Sequence, residues 1–116
     1  MSVLFKTKES YLHNHAKMLL AGWVGGQVEM PFDISGRRVF VPDVVAPGRG
    51  CLDIYEVVNT NPIDGVKLGR IQSWVYHNDF SVSVKEVSAS WIMSRTERPE
   101  YIEYINRYYI SVNDLL

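Results

Sequence analysis

The sequence contains little cysteine, little excess charge and no long apolar run. Cys51 is the single cysteine among 116 residues, which excludes an internal disulfide framework and predicts a reducing, intracellular setting. No run approaches the ~20 apolar residues that a membrane-spanning helix requires, and no secretory signal is expected at the N-terminus. With only three histidines beside that cysteine, a structural zinc site is disfavoured.

The formal net charge of −1 argues against an obvious nucleic-acid binder, because duplex affinity depends largely on cationic contacts to phosphate. A local basic face is still compatible with a neutral total. Several arginines lie in the central part of the sequence, near the acidic residues described below. Three of them are the candidate substrate-binding residues: Arg37, Arg38 and Arg70. The apolar content of 47% is sufficient for a core, and the length predicts one domain over residues 1–116.

The first half of the chain predicts one helix and three strands. Leu12, Ala16, Leu19 and Trp23 recur at helical spacing, which predicts a helix over residues 8–23 that Thr7 caps and Gly25-Gly26 ends. A short strand over residues 27–32, a turn at 33–36, a strand over 37–45 and a strand over 51–59 are expected to follow.

The second half predicts two helices around further strands. A helix is expected to begin at Pro62, with Asn61 as its cap, and to end at Asn78-Asp79. The residues on its inner side are Ile63, Lys67, Ile71, Trp74 and Val75. Residues 80–84 alternate as a half-buried strand, and the changed phase over 87–93 indicates a bulge or a second strand after Glu86. Pro99 is expected to open a C-terminal helix whose Ile102, Ile105 and Tyr109 face inward.

Two acidic residues stand inside strongly apolar, strand-like runs. Asp43 lies in Val-Pro-Asp-Val-Val and Glu56 lies in Leu-Asp-Ile-Tyr-Glu-Val-Val. A carboxylate in such a run costs free energy unless it is compensated, and a metal ion is one good compensator. The segment Ala-Pro-Gly-Arg-Gly between the two runs has the composition of a turn. It predicts that the two strands pair and bring Asp43 and Glu56 together. Asp53 is the alternative partner, but it points to the opposite face from Glu56.

Two further charged residues fall on apolar helix faces. Glu9 shares the stripe of the first helix, although a carboxylate in a first turn also favours the helix dipole. Lys67 lies on the inner side of the second helix, although its ammonium can also extend to water. Together with Asp43 and Glu56 they form the set that Mg²⁺- or Mn²⁺-dependent hydrolysis of phosphodiesters requires.

The chain here resembles the PD-(D/E)XK nuclease superfamily. Pro42-Asp43 looks like its PD dipeptide and Glu56 like its second acidic residue. The order of helix, three strands, helix and strand matches the family core, and Glu9 matches an acidic residue that many members carry on the first helix. The resemblance implies an α/β, restriction-endonuclease-like core over about residues 8–85. It has a mixed central sheet of four to five strands flanked by helices, and an extension over 86–116 adds a C-terminal helix.

The resemblance implies a DNA endonuclease with Asp43 and Glu56 as ligands of Mg²⁺ or Mn²⁺. Glu9 and Lys67 complete the catalytic set, and such enzymes often work as homodimers. Val58 stands where the family motif has lysine, and Lys67 takes over that role in a manner similar to a competence-protein-CoiA-like branch. That branch has histidine at the position of Asn61. The alternative is an inactive nuclease-like scaffold that binds nucleic acid or protein, including as a component of a virus particle.

Overall fold

The computed structural model describes residues 8–59, 62–95 and 97–111, and for residues 8–10 the backbone alone. The first elements are α1 (Lys8–Val24), β1 (Gln27–Val28), β2 (Phe32–Ile34), β3 (Arg37–Phe40) and β4 (Val44–Pro47). They are followed by β5 (Leu52–Val58), α2 (Gly65–Asn78), β6 (Val82–Ser88), α3 (Ala89–Met93) and β7 (Asn106–Ile110).

Five strands form one mixed sheet in the order β1-β4-β5-β6-β7. Strand β6 runs parallel to β5, and the other neighbouring pairs are antiparallel. Parallel strands require a crossover, and α2 supplies it between β5 and β6. Strands β2 and β3 form a separate hairpin whose turn residues Ser35 and Gly36 both have positive φ, the conformation that a two-residue hairpin loop favours.

Helices cover both faces of the sheet. On one face, Ala16 and Leu20 of α1 pack with Val57 of β5 in a buried cluster that also includes α3. On the other face, Ile71 and Val75 of α2 pack with a second cluster that includes the β2–β3 hairpin. Strands buried on both faces carry continuous apolar runs, which explains the composition around Asp43 and Glu56. The predicted α/β class, with a mixed central sheet of four to five strands flanked by helices, is therefore confirmed, and the sheet has five strands.

The tryptophans pack against the two buried clusters. Trp23 and Trp91 meet edge to face, with ring centroids 6.4 Å apart, on the α1 face. Trp74 meets Phe32 at 4.8 Å and Phe40 at 6.5 Å, which fastens the hairpin to α2. Across the described ranges, no helix combines the length and apolar character needed to cross a bilayer.

The predicted C-terminal helix is wrong, because β7 occupies part of that segment. Tyr108 and Ile110 alternate with exposed residues and extend the α2-side cluster, and aromatic and β-branched residues suit such a half-buried strand. The helical spacing of Ile102, Ile105 and Tyr109 is incidental. Residues 106–110 pair with β6, which would otherwise be an edge of the sheet.

The second strand expected after Glu86 is also wrong. Residues 89–93 form α3, capped by the Ser88 side chain, which accepts a hydrogen bond from the Trp91 N–H. Strand β6 pairs with β5 in unbroken register from Val82 to Ser88, so no bulge lies there. The change of phase arises because Glu86 and Val87 are both buried, on opposite faces.

Several element boundaries differ from the prediction, including the strand expected over 80–84, which is β6 at Val82–Ser88. The strand expected over 37–45 is interrupted before Val44, where Pro42 offers no N–H. The strand expected over 27–32 is divided between β1 and β2, and Glu29 between them has a φ of 52°. Helix α2 begins at Gly65 with Asp64 as its cap, not at Pro62. The predicted caps Thr7 and Asn61 lie outside the described residues.

Candidate functional site

Asp43 and Glu56 meet where the ladder between β4 and β5 ends. Val44 is paired with Tyr55, so Asp43 and Glu56 are the next residues facing each other. Their side chains take over from the backbone ladder. The Asp43 N–H donates to Glu56 Oε2 at 2.9 Å, and the Val57 N–H donates to Asp43 Oδ2 at 2.8 Å. We call this reciprocal pair of bonds the Asp43–Glu56 clasp.

Two lysine ammonium groups contact the two remaining carboxylate oxygens of the clasp. Lys67 Nζ of α2 donates to Glu56 Oε1 at 2.5 Å. Lys17 Nζ of α1 lies 3.5 Å from Asp43 Oδ1 and 2.7 Å from Glu29 Oε2. Each of the four carboxylate oxygens therefore already has a partner. Asp43 is bound from the helix on one face and Glu56 from the helix on the other, so the clasp joins the two faces of the sheet.

His13 is a member of the site that the sequence did not identify. Its Nε2 lies 2.9 Å from the Val57 carbonyl oxygen and 3.5 Å from Asp43 Oδ2. Its spacing to Lys17 was the available signal, because residues four apart share one face of a helix. The side chain of Glu9 lies outside the described residues. The predicted role of Glu9 stays a prediction.

The two carboxyl groups have pKa values shifted in opposite directions. Burial alone would raise the pKa of Asp43, but hydrogen bonds from His13 and the Val57 N–H and the charge of Lys17 outweigh it and lower that pKa. Burial and the neighbouring charge of Asp43 raise the pKa of Glu56, and Lys67 offsets this only in part. The hydrogen bond to Asp43 raises the pKa of His13, against the opposing effect of burial. Opposite shifts in adjacent acids are a feature of functional sites.

Asp53, the alternative partner of Asp43, lies on the opposite face of β5. Its Oδ1 is 3.2 Å from Lys85 Nζ, and a Cβ on Gly48 would stand 2.8 Å from its Oδ2. Residues an odd number apart in a strand point to opposite faces, as the sequence predicted. Glu56 is therefore the acid that meets Asp43.

A cavity of about 270 Å³ opens beside the clasp. The predicted residues Asp43, Glu56 and Lys67 all line it. Its other lining residues are His13, Val57, Val58, Pro62, Ile63 and Asp64. The predicted substrate-binding residues Arg37, Arg38 and Arg70 are exposed, and they do not line this cavity.

Glu86 is another residue that sequence reasoning missed. It is the register partner of Glu56 on the adjacent parallel strand and is fully buried, with 0% exposure. Its Oε2 accepts from the Ile63 N–H at 2.5 Å, and its Oε1 accepts from Asn106 Nδ2 at 2.9 Å. The signal was present, because alternation along β6 places Glu86 on the same face as the buried Val82 and Val84.

The carboxyl groups of Asp43 and Glu56 are the candidate metal donors at this cavity. Within residues 8–59, 62–95 and 97–111, no three His, Cys, Asp or Glu side chains converge as a ready metal-ligand set. Mg²⁺ does not require such a set, because it keeps several waters and is usually bound through one or two carboxylates plus substrate phosphates. Asp43 and Glu56 border one cavity and supply the hard oxygen atoms that this ion prefers.

Comparisons with known proteins identify no family. The chain matches no family model and no curated protein. A solved structure described as the crystal structure of SSO0001 is similar to it at 13% sequence identity with a TM-score of 0.44. The similarity covers 89% of this chain and 50% of that one, so the chain spans about half the length of that protein.

Proposed function

We propose that the protein is a metal-dependent endonuclease that hydrolyses phosphodiester bonds in DNA, on a restriction-endonuclease-like core. The observation that carries the proposal is that Asp43, Glu56 and Lys67 line one cavity. The order α1, β4–β5, α2 and β6 also supports it, since the superfamily resemblance implies this order of helix, strands, helix and strand.

Each residue has a distinct role in this proposal. Asp43 and Glu56 would hold Mg²⁺ or Mn²⁺, which when bound supplies a Lewis acid and a more acidic water. Lys67, whose ammonium contacts Glu56, orients the nucleophilic water and offsets negative charge on the phosphate. His13 fixes the orientation of Asp43 through its contact with Oδ2. Glu9, one helical turn before His13 on α1, is proposed to hold a water or a second metal ion.

DNA contacts are proposed for the exposed arginines outside the cavity. Arg37 and Arg38 lie on β3, and Arg70 lies on α2, to which the β2–β3 hairpin is fastened by Trp74. Cationic side chains on neighbouring elements can hold phosphates without a strongly positive total charge. We also propose a homodimer as the working form, because cutting both strands of a duplex requires two sites.

Metal binding and DNA cleavage together test the proposal. Wild-type protein should bind Mn²⁺ with micromolar to millimolar affinity in a calorimetric titration and should nick supercoiled plasmid. Asp43→Asn and Glu56→Gln should abolish the binding, and each should slow cleavage by about 100-fold or more, since metal catalysis contributes several kcal/mol to the barrier.

Asp53→Asn is the matched control, because Asp53 lies on the same strand as Glu56 but on the opposite face. It should leave Mn²⁺ binding and cleavage close to wild type. Equal cleavage by wild type, Asp43→Asn and Glu56→Gln would eliminate the nuclease assignment.

A second candidate is a nuclease-like scaffold without activity that binds nucleic acid or protein, including in a virus particle. Two observations favour it. Val58 occupies the lysine position of the family motif, and every oxygen of the Asp43–Glu56 clasp already has a partner within the protein. A wild-type protein that binds no Mn²⁺ and cuts no plasmid would support this candidate.

A further inference from the structure

Glu86 is buried without an ionic partner among the described residues. Its carboxyl group accepts hydrogen bonds from three donors: the Ile63 N–H, Asn106 Nδ2 and, at 3.4 Å, the Tyr108 hydroxyl. Burying a carboxyl group is costly, and such a group is retained where its hydrogen bonds hold something in place. Here they join the segment before α2 to the edge strand β7.

A short path leads from Glu86 to Lys67. Ile63, which Glu86 holds, precedes the helix cap Asp64. The Asp64 Oδ1 accepts from the Lys67 N–H at 2.7 Å, and Lys67 Nζ contacts Glu56. Because Glu86 and Glu56 are register partners, the path closes a ring that contains both strands and the first turn of α2.

We propose that Glu86 is a positioning residue that sets the first turn of α2, and with it the ammonium of Lys67, over Glu56. This inference rests on the proposed function for its catalytic meaning. Its physical reason is that the Ile63 N–H and the Asp64 cap fix where the helix begins. Lys67 lies in the first turn, so the position of its side chain depends on how firmly the start of the helix is fixed.

Lysine labelling tests the inference without any measurement of activity. Glu86→Met keeps the length of the side chain but replaces the carboxyl group with an apolar thioether, so both acceptor oxygens are lost. Acetylation of Lys67 by acetic anhydride, quantified by peptide mass spectrometry, should become about fivefold faster or more, which corresponds to about 1 kcal/mol. Lys85, which contacts Asp53 on the other face, should be labelled at the wild-type rate.

Two further variants separate positioning from general stability. Glu86→Gln should restore slow labelling of Lys67, because its carbonyl can accept from the Ile63 N–H while its amide group faces the Asn106 amide. Asn106→Ala breaks a bond on the β7 side of the same carboxyl group and should leave Lys67 close to wild type. An unchanged labelling rate of Lys67 in Glu86→Met would overturn the inference.

If Glu86→Met loosens the whole fold, Lys67 and Lys85 will both be labelled faster, and Asp64→Ala then decides. Asp64 is exposed, and its removal breaks the path one bond later, at the Lys67 N–H. Faster labelling of Lys67 alone supports the inference, whereas an unchanged rate refutes it.

Kinetics connect the inference to catalysis. Glu86→Met should lower the kcat of plasmid cleavage, and it should have no further effect on kcat in a Lys67→Met background. Additive losses of kcat would show that Glu86 does not act through Lys67. If wild-type protein neither binds Mn²⁺ nor cleaves DNA, the proposed function fails, but the labelling still tests the positioning of Lys67.

Discussion

At the scale of single residues, the ionisable groups of the site depend on one another. Asp43 is kept ionised by its donors, whereas Glu56 is pushed toward its protonated form by burial and by Asp43. When one of two adjacent carboxyl groups has a lowered pKa and the other a raised pKa, the pair readily binds one positive charge between them. That charge can be a proton, an ammonium group or a metal ion.

The His13–Asp43 contact should make folding stability depend on pH. The contact raises the pKa of His13 above its ordinary value of 6.5, so its contribution is full below that value and is lost as the pH rises through the folded-state pKa. In metal-free buffer, His13→Gln should therefore lower the free energy of unfolding more at about pH 5.5 than at about pH 8.5.

Urea unfolding at the two pH values measures this difference. His15→Gln is the matched control, because it makes the same substitution at an exposed position of the same helix. A destabilisation by His13→Gln that is larger at the higher pH would contradict the assignment.

At the scale of elements, local patterns predicted the parts whose structure is decided locally. Helix α1, the turn before Arg37, strand β5 and the closure of α2 at Asp79 were predicted from spacing and turn chemistry. Asp79 adopts the left-handed conformation that ends a helix. The segment after Glu86 was not predictable in this way, because the need of β6 for a partner decides its structure.

The candidate site divides in the same manner. Asp43, Glu56 and Lys67 were identified because charged residues in apolar patterns stand out in the sequence. His13 and Lys17 were missed, since their contacts with Asp43 span 30 and 26 residues in sequence. The four-residue spacing of His13 and Lys17 shows that they share a helix face, but it does not identify Asp43 as their partner.

Two glycines near the end of α1 should respond oppositely to alanine. Gly26 packs so closely that a Cβ would stand 2.8 Å from the Val45 carbonyl oxygen, so Gly26→Ala should cost about 1–3 kcal/mol. Gly22 lies inside α1 with nothing within 4 Å of a Cβ, so Gly22→Ala should stabilise the protein by about 0.5–1 kcal/mol.

Thermal and urea unfolding of the two variants measure these changes. Each variant serves as the control for the other, because both add one methyl group within five residues of chain. Stabilisation by Gly26→Ala would contradict the close contact of the α1–β1 connection with β4.

At the scale of the whole molecule, one sheet carries both apolar clusters. Neighbouring residues of β4 and β5 contribute to opposite faces, so neither cluster can form without these strands. This sharing predicts cooperative, single-step unfolding of the kind that small single domains show.

The tryptophans can report on the two faces separately. Trp74 lies in the α2-side cluster, whereas Trp23 and Trp91 lie in the α1-side cluster. In Trp74→Phe, and in the double variant Trp23→Phe and Trp91→Phe, the fluorescence transition in urea should coincide with that of far-UV circular dichroism. Different midpoints for the two signals in either variant would show that the faces unfold independently.

The Asp43–Glu56 clasp has a consequence for ion uptake. Since its four oxygens are already engaged, an incoming cation must exchange with Lys17 or Lys67, or share an oxygen with a backbone N–H. The observed affinity then equals the intrinsic affinity reduced by the small population of the open arrangement. Under the proposed function, such an exchange makes metal binding weak and readily reversible, and a second anion, such as a phosphate, should raise the occupancy further by attracting the displaced ammonium.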